Sequence, residues 1–221
     1  MFCLRNTNRI REVVIRLRLI GCCLFWSLAV GCSSQPSAIN PVDIDPYEAS
    51  RQALTQYDKN GDNMLSGDEL TDVAGIAKYK KLYDLDGDDQ VSQDEIVNRI
   101  KLWSHQGLGI RQLIVLVTLD GQPFPGADIE FVPENYLGPN VKRATGKTDG
   151  SGSADLAMAK EDMPAQLSHL PIGGVMGGTF KVKVTHPSID VSARYNRETV
   201  LGEEIAFDTI GTRAMVVLKS K

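Results

Sequence analysis

The spacing of apolar residues changes character three times along this chain. Leu19 to Val30 is one continuous apolar-leaning run. Helical spacing follows from Asp45 onward. Asp45-Pro46-Tyr47-Glu48 supplies an N-cap, a proline at the first helical position and an acid three residues after the cap. Tyr47, Leu54 and Tyr57 are expected on the buried face of that helix. A second such pattern, Ile96, Ile100 and Trp103 with Lys and Arg between them, predicts an amphipathic helix that ends near Gly107 and Gly109. From about Arg111 the period drops to two. Leu113 to Leu119 is an apolar run of strand length, Ala127 to Val132 places Ile129 and Phe131 on alternate positions, and Phe180, Val182 and Val184 alternate with Lys181 and Lys183. Further strands are expected around Ile189 and Val191, over Ile205 to Phe207 and over Ala214 to Leu218. That makes about seven strands, the number in a small two-sheet sandwich.

Two twelve-residue loops lie between the helical patterns, Asp58 to Glu69 and Asp84 to Glu95, and oxygen-bearing residues recur in them at the same offsets. A hard divalent cation takes six to eight oxygens, which carboxylates or amides at offsets 1, 3 and 5, a carbonyl at 7 and a two-oxygen Glu at 12 can supply. In this the chain resembles the EF-hand family. The resemblance implies two Ca2+ sites. In the first, Asp58, Asn60 and Asp62 give side-chain oxygens, Met64 its carbonyl, Ser66 a direct or water-mediated contact and Glu69 both carboxylate oxygens. In the second, Asp84, Asp86 and Asp88, the carbonyl of Gln90, Ser92 and Glu95 take the same parts. Leu65 and Val91 hold offset 8, where the family joins paired loops by a short antiparallel bridge. At offset 6 the family's glycine is replaced by Asn63 and Asp89, the non-glycine types that most readily enter the left-handed region. Between the loops, an exit helix and an entering helix share Leu70 to Tyr83, a compression similar to that of dockerins. The second loop, with four ligand carboxylates against three, is expected to bind more tightly.

Charge and cysteines place the chain. The first 32 residues contain all four cysteines, Cys3, Cys22, Cys23 and Cys32, with five arginines and one acid. Arginines, a short apolar stretch and small residues before a cut describe a secretory signal, too short for a membrane span. Leu28-Ala29-Val30-Gly31-Cys32 resembles a bacterial lipobox, which implies cleavage after residue 31 and lipidation of Cys32. Removing residues 1–31 takes the 24 basic and 28 acidic residues to 19 and 27, and the net charge from −4 to −8. A chain this acidic has no basic stripe for nucleic acid or anionic headgroups. Membrane contact is therefore expected through N-terminal acyl chains, with residues 32–45 as a flexible tether of about 45 Å contour. Ser33 after the cysteine implies, by resemblance to Gram-negative lipoproteins, sorting to the outer membrane. One remaining cysteine leaves no intramolecular disulfide.

The second half carries turns in place of chemistry. Asp120-Gly-Gln-Pro-Phe-Pro-Gly-Ala127, followed by Thr148-Asp149-Gly150-Ser-Gly152, resembles the carboxypeptidase regulatory-like or transthyretin-like sandwich domains, which are generally non-catalytic. Gly146-Lys147-Thr148 lacks the glycine of a phosphate-binding loop, with Val141 in its place. Gly173 to Gly178 reads as a mobile turn. His105, His169 and His186 lack zinc-ligand spacing, and no motif supports a hydrolase triad.

The expected fold class is α+β and multidomain: residues 1–31 a lipoprotein signal peptide, 32–45 the tether, 46–106 a small all-α EF-hand pair, and 110–221 an all-β Ig-like or transthyretin-like sandwich. The expected function is that of a calcium-binding, exported, lipid-anchored and non-enzymatic protein of the cell envelope, with a structural or interaction sandwich. The alternatives are a calcium-dependent dockerin-like docking module for an envelope protein partner and an accessory domain of an extracytoplasmic hydrolase.

Overall fold

The computed structural model describes residues 41–165, 167 and 173–220. The signal segment, Cys32, most of the tether, His169 and Pro171 lie outside the described residues. Helices come first and strands after them, an α+β order with several antiparallel sheets.

Helix α1 spans Pro46–Tyr57, and one Asp45 carboxylate oxygen accepts from the N–H groups of Tyr47 (2.9 Å) and Glu48 (3.1 Å). Leu54 and Tyr57 are buried as expected. Tyr47 is not: it is 58% exposed, and its hydroxyl accepts from Lys101 Nζ at 2.8 Å. It lies in the first turn of the helix, where its ring packs against Lys101, whose Nζ is 4.5 Å from the ring centre. The segment after the first loop breaks into three short helices, α2 (Gly67–Asp72), α3 (Ala74–Lys78) and α4 (Lys80–Tyr83). Helix α5, Gln93–His105, buries Ile96, Ile100 and Trp103, and the chain turns at Gly107 with φ +68°.

The strand half forms two principal sheets. One has β12 (Gly202–Ile205), β11 (Gly178–Thr185), β6 (Asp128–Pro133), β7 (Ala144–Lys147) and β9 (Ala157–Met158) in that order, all antiparallel. The other sets β13 (Arg213–Leu218) parallel to β4 (Ile114–Leu119), whose opposite edge takes β5 (Gln122–Pro123) and β8 (Ser153–Asp155). Val115, Val117, Val216 and Leu218 from one sheet and Ile129, Phe131, Phe180 and Val182 from the other join a single apolar cluster, an arrangement compatible with a sandwich. The cluster continues into the helices through Tyr57, Ile76, Tyr83 and Ile100. Helical and strand parts therefore share one core.

Three expectations for the strand half are also corrected. Residues 186–192 form bends, not a strand, because His186 Nδ1 accepts from the N–H groups of Ser188 and Ile189, both at 3.0 Å, and closes a turn. The strand expected over Ile205 to Phe207 lies earlier, over Gly202–Ile205, and leaves Phe207 exposed beside Arg111. The Gly173 to Gly178 segment contains a strand, β10 (Val175–Met176), paired with β3 (Ile110–Arg111). Its glycines serve close packing, since a Cβ on Gly177 would lie 2.3 Å from the Leu108 side chain. With such short strands included, the region has more than seven.

Candidate metal centre

Each loop folds around its own oxygens. In the first, Asp58 accepts from Gly61 N–H (2.7 Å, Oδ1) and Asn63 N–H (2.9 Å, Oδ2), Asn60 Oδ1 accepts from Asp62 N–H at 2.8 Å, and Asp62 Oδ1 accepts from Met64 N–H at 2.9 Å. The second repeats this offset for offset. Asp84 accepts from Gly87 N–H (2.7 Å) and Asp89 N–H (3.0 Å), Asp86 from Asp88 N–H (3.2 Å), and Asp88 from Gln90 N–H (2.9 Å). Short polar side chains bonding to N–H groups two residues on make tight local turns. The result is a coil of backbone with carboxylates drawn toward its interior.

The closing glutamates reach back across each loop. Glu69 Oε1 accepts from Lys59 N–H (2.9 Å) and Asn60 N–H (3.2 Å), and its Oε2 from Ser66 N–H (3.1 Å). Glu95 Oε1 accepts from Leu85 N–H and Oε2 from Ser92 N–H, each at 2.7 Å. Both are nearly buried. Each also caps the helix it opens, the Ser-x-x-Glu box of α2 and α5, so one side chain closes a loop and starts a helix.

Asp58, Asp62 and Glu69 place one oxygen each within 4.8 Å of one another, and Asp84, Asp86 and Asp88 do the same in the second loop. Glu95, held by Leu85 and Ser92, is not in the second group. Asn60, Met64, Ser66, Gln90 and Ser92 lie in the loops at the offsets read from the sequence. Two clusters of hard oxygen donors that could hold a metal ion are therefore present, and their donor chemistry fits a hard divalent cation.

Backbone geometry meets the two departures from the family pattern. Asn63 and Asp89 have φ of +63° and +71°, the left-handed turn where a glycine was missing. The loops then pair antiparallel through β1 (Met64–Leu65) and β2 (Val91–Ser92), with Leu65 opposite Val91.

The residues that seat this pair on the sheets are absent from any local sequence pattern. Arg99 of α5, buried, donates from Nε to Glu204 Oε1 at 3.0 Å, and its Nη1 and Nη2 donate to Asp208 at 2.7 and 2.8 Å. Those bonds hold the Asp208 carboxyl below the usual carboxylate range. Tyr57 Oη donates to Glu134 Oε2 at 2.7 Å, and Tyr79 Oη to Glu203 Oε2 at 2.7 Å, with Lys78 paired to the other Glu203 oxygen. Burial pushes the Glu134 and Glu204 carboxyls up, against the partners that favour their charge. Partners about 77 to 125 residues apart in the chain leave no spacing to read.

Elsewhere, a depression of about 860 Å³ on the outer face of the five-stranded sheet is lined by Asp128, Glu130, Lys147, Lys183, Asn196 and Arg197. Its acids pair with neighbours, Asp128 with Lys147 at 2.7 Å and Glu130 with Arg143 at 2.6 Å, so they do not converge on a common point. Comparison with protein families, curated proteins and solved structures finds no match to this chain.

Proposed function

We propose that this is an exported, lipid-anchored, non-enzymatic calcium-binding protein of the cell envelope, in which an EF-hand pair is joined to an Ig-like, transthyretin-like sandwich with a structural or interaction role. The observation that carries this reading is the duplicated loop. Oxygen-bearing side chains at offsets 1, 3 and 5 accept backbone N–H groups at the same offsets in both loops, and the two are bridged at offset 8. Calcium would be held by Asp58, Asn60, Asp62 and Glu69 with the Met64 carbonyl and Ser66, and by Asp84, Asp86, Asp88 and Glu95 with the Gln90 carbonyl and Ser92. The ion would neutralise carboxylates otherwise crowded within a few ångströms. The lipobox of residues 28–32 supports export and anchoring, and the absence of any sequence motif for catalysis supports a non-enzymatic role.

Extracytoplasmic sites of this type bind at roughly 0.1 to 1 mM, in the range where the ion stabilises permanently. Free calcium at a hundred times the dissociation constant would add about 2.7 kcal/mol per site. Calorimetric titration of the protein from residue 33 onward, beside Glu69→Gln and Glu95→Gln, tests the reading. Two sites are expected, each lost with its own substitution. Absence of binding up to several millimolar would reduce the loops to acidic turns.

A further inference from the structure

The strand half meets the helical half through buried carboxylates, and the groups that answer them sit beside the loop ligands. Tyr57 immediately precedes Asp58, and its hydroxyl donates to Glu134 at 2.7 Å. Tyr83 immediately precedes Asp84 and is buried beside Glu204. Arg99 stands one helical turn after Glu95, bonds Glu204 and forks onto Asp208, and its guanidinium lies 5.8 Å from the centre of the Tyr83 ring. Lys78 and Tyr79, on the segment joining the two loops, hold Glu203. Glu134, Glu203 and Glu204 thus come from the strand half, and the hydroxyls and cations that face them come from the helical half, apart from Lys181 of β11, whose Nζ lies 3.8 Å from Glu134 Oε2.

Resting on the calcium reading above, we infer that occupancy of the loops controls how firmly the helical half docks on the sheets, with Tyr57–Glu134 reporting the first loop and Tyr83–Arg99–Glu204 the second. The seam has no slack to absorb a moving loop. Tyr83 Oη, Glu134 Oε1 and Glu204 Oε2 are buried without a hydrogen bond of ordinary geometry. Losing its hydrogen-bond donor is unfavourable for a buried carboxylate, and without the Tyr57 hydroxyl Glu134 would keep only the Lys181 ammonium, 3.8 Å away. In the metal-free loop, Asp84, Asp86 and Asp88 crowd within 4.8 Å and repel one another. Relief of that repulsion by opening the loop shifts Tyr83, the residue next to Asp84, and with it the partner set of Glu204. Docking and binding are then linked, and linkage is reciprocal.

The test uses the full-length protein in detergent, with calcium and with chelator. Amide hydrogen exchange is followed in the loops, in residues 128–137 and in residues 202–209, alongside calorimetric calcium binding. Chelation is expected to accelerate exchange in both strand-half segments as well as in the loops. Tyr57→Phe and Glu204→Gln, which touch no ligand and nearly conserve shape, are expected to weaken calcium binding at least about fivefold, whereas Tyr47→Phe leaves it unchanged. Normal calcium binding with protection confined to residues 58–95, or unchanged affinity in both seam variants, overturns the inference and leaves the calcium reading standing. Absence of calcium binding in the wild type overturns both.

Discussion

Leu65 and Val91 face each other across an antiparallel bridge of two residues per strand, and neither is exposed to solvent. Two loops that expose most of their polar side chains are thereby fixed to each other by one apolar contact and the ladder around it. Leu65→Ala removes the larger half of that contact. It is expected to cost about 2–5 kcal/mol, measured as a lower denaturation midpoint with an unchanged denaturant slope. The same variant should loosen both loops, because the bridge belongs to both. A loss confined to residues 58–69 would show that the loops fold independently.

Arg99 and Glu204 form a second testable pair, with side chains 3% and 0% exposed. Arg99→Ala strands a buried carboxylate, for which a loss of about 3–5 kcal/mol is expected. Glu204→Leu on the same background removes the stranded charge and should recover much of that loss, the sign of coupling in a double-mutant cycle. Additive losses would mean that Arg99 contributes through packing of its stem and its bonds to Asp208. Unfolding curves of the four proteins decide between the two.

Much of the helical half was legible because its signals are local. The Asp45-Pro46 start, the 3.6-residue spacing of Ile96, Ile100 and Trp103, and the loop offsets all act within a dozen residues. Asn63 and Asp89 fell in the left-handed region because short polar side chains tolerate it best after glycine. The strand half was legible where alternation was strong, at Ile129 and Phe131 or Phe180 and Val182. It failed where apolar residues do not mark a strand: Ile189 and Val191 sit in a segment folded by His186, and the glycines before Phe180 are required by Leu108 and Ile110. The carboxylate seam was invisible. Glu134, Glu203 and Glu204 belong to no local pattern, and only tertiary packing brings Tyr57, Tyr79 and Arg99 to them.

Glu134 gives a pH dependence with a definite sign. Burial, the largest influence, holds its carboxyl above the ordinary value of 4.5, against the opposing pull of the Tyr57 hydroxyl and the Lys181 charge. The folded protein therefore keeps this proton at pH values where the unfolded chain has released it. Its contribution is fully present below 4.5 and is lost as pH rises through the elevated folded value. Glu134→Gln keeps an oxygen for Tyr57 and carries no charge, so it escapes that loss. The variant should gain on the wild type as pH is raised from about 4.5 to 7, read as the difference in denaturation midpoint across a pH series. A difference independent of pH would mean that Glu134 stays ionised throughout.

Gly202 is where the segment joining the two loops touches the five-stranded sheet. A Cβ there would lie 2.2 Å from the Ala74 carbonyl carbon and the Gly75 nitrogen, backbone atoms of α3 that cannot rotate aside as a side chain would. Gly202→Ala must therefore push α3 off β12, and overpacking of this kind costs about 1–3 kcal/mol. Gly211→Ala, which meets nothing within 4 Å, is the control and should leave stability unchanged within about 0.5 kcal/mol. Because Glu203 follows Gly202 directly and holds Lys78 and Tyr79, the displacement should also break those bonds. Faster exchange at the amides of residues 74–83 in Gly202→Ala, with β4 and β13 unaffected, is the expected pattern. Uniform destabilisation of both sheets would place the contact inside the common core and remove its special place at the helix–sheet seam.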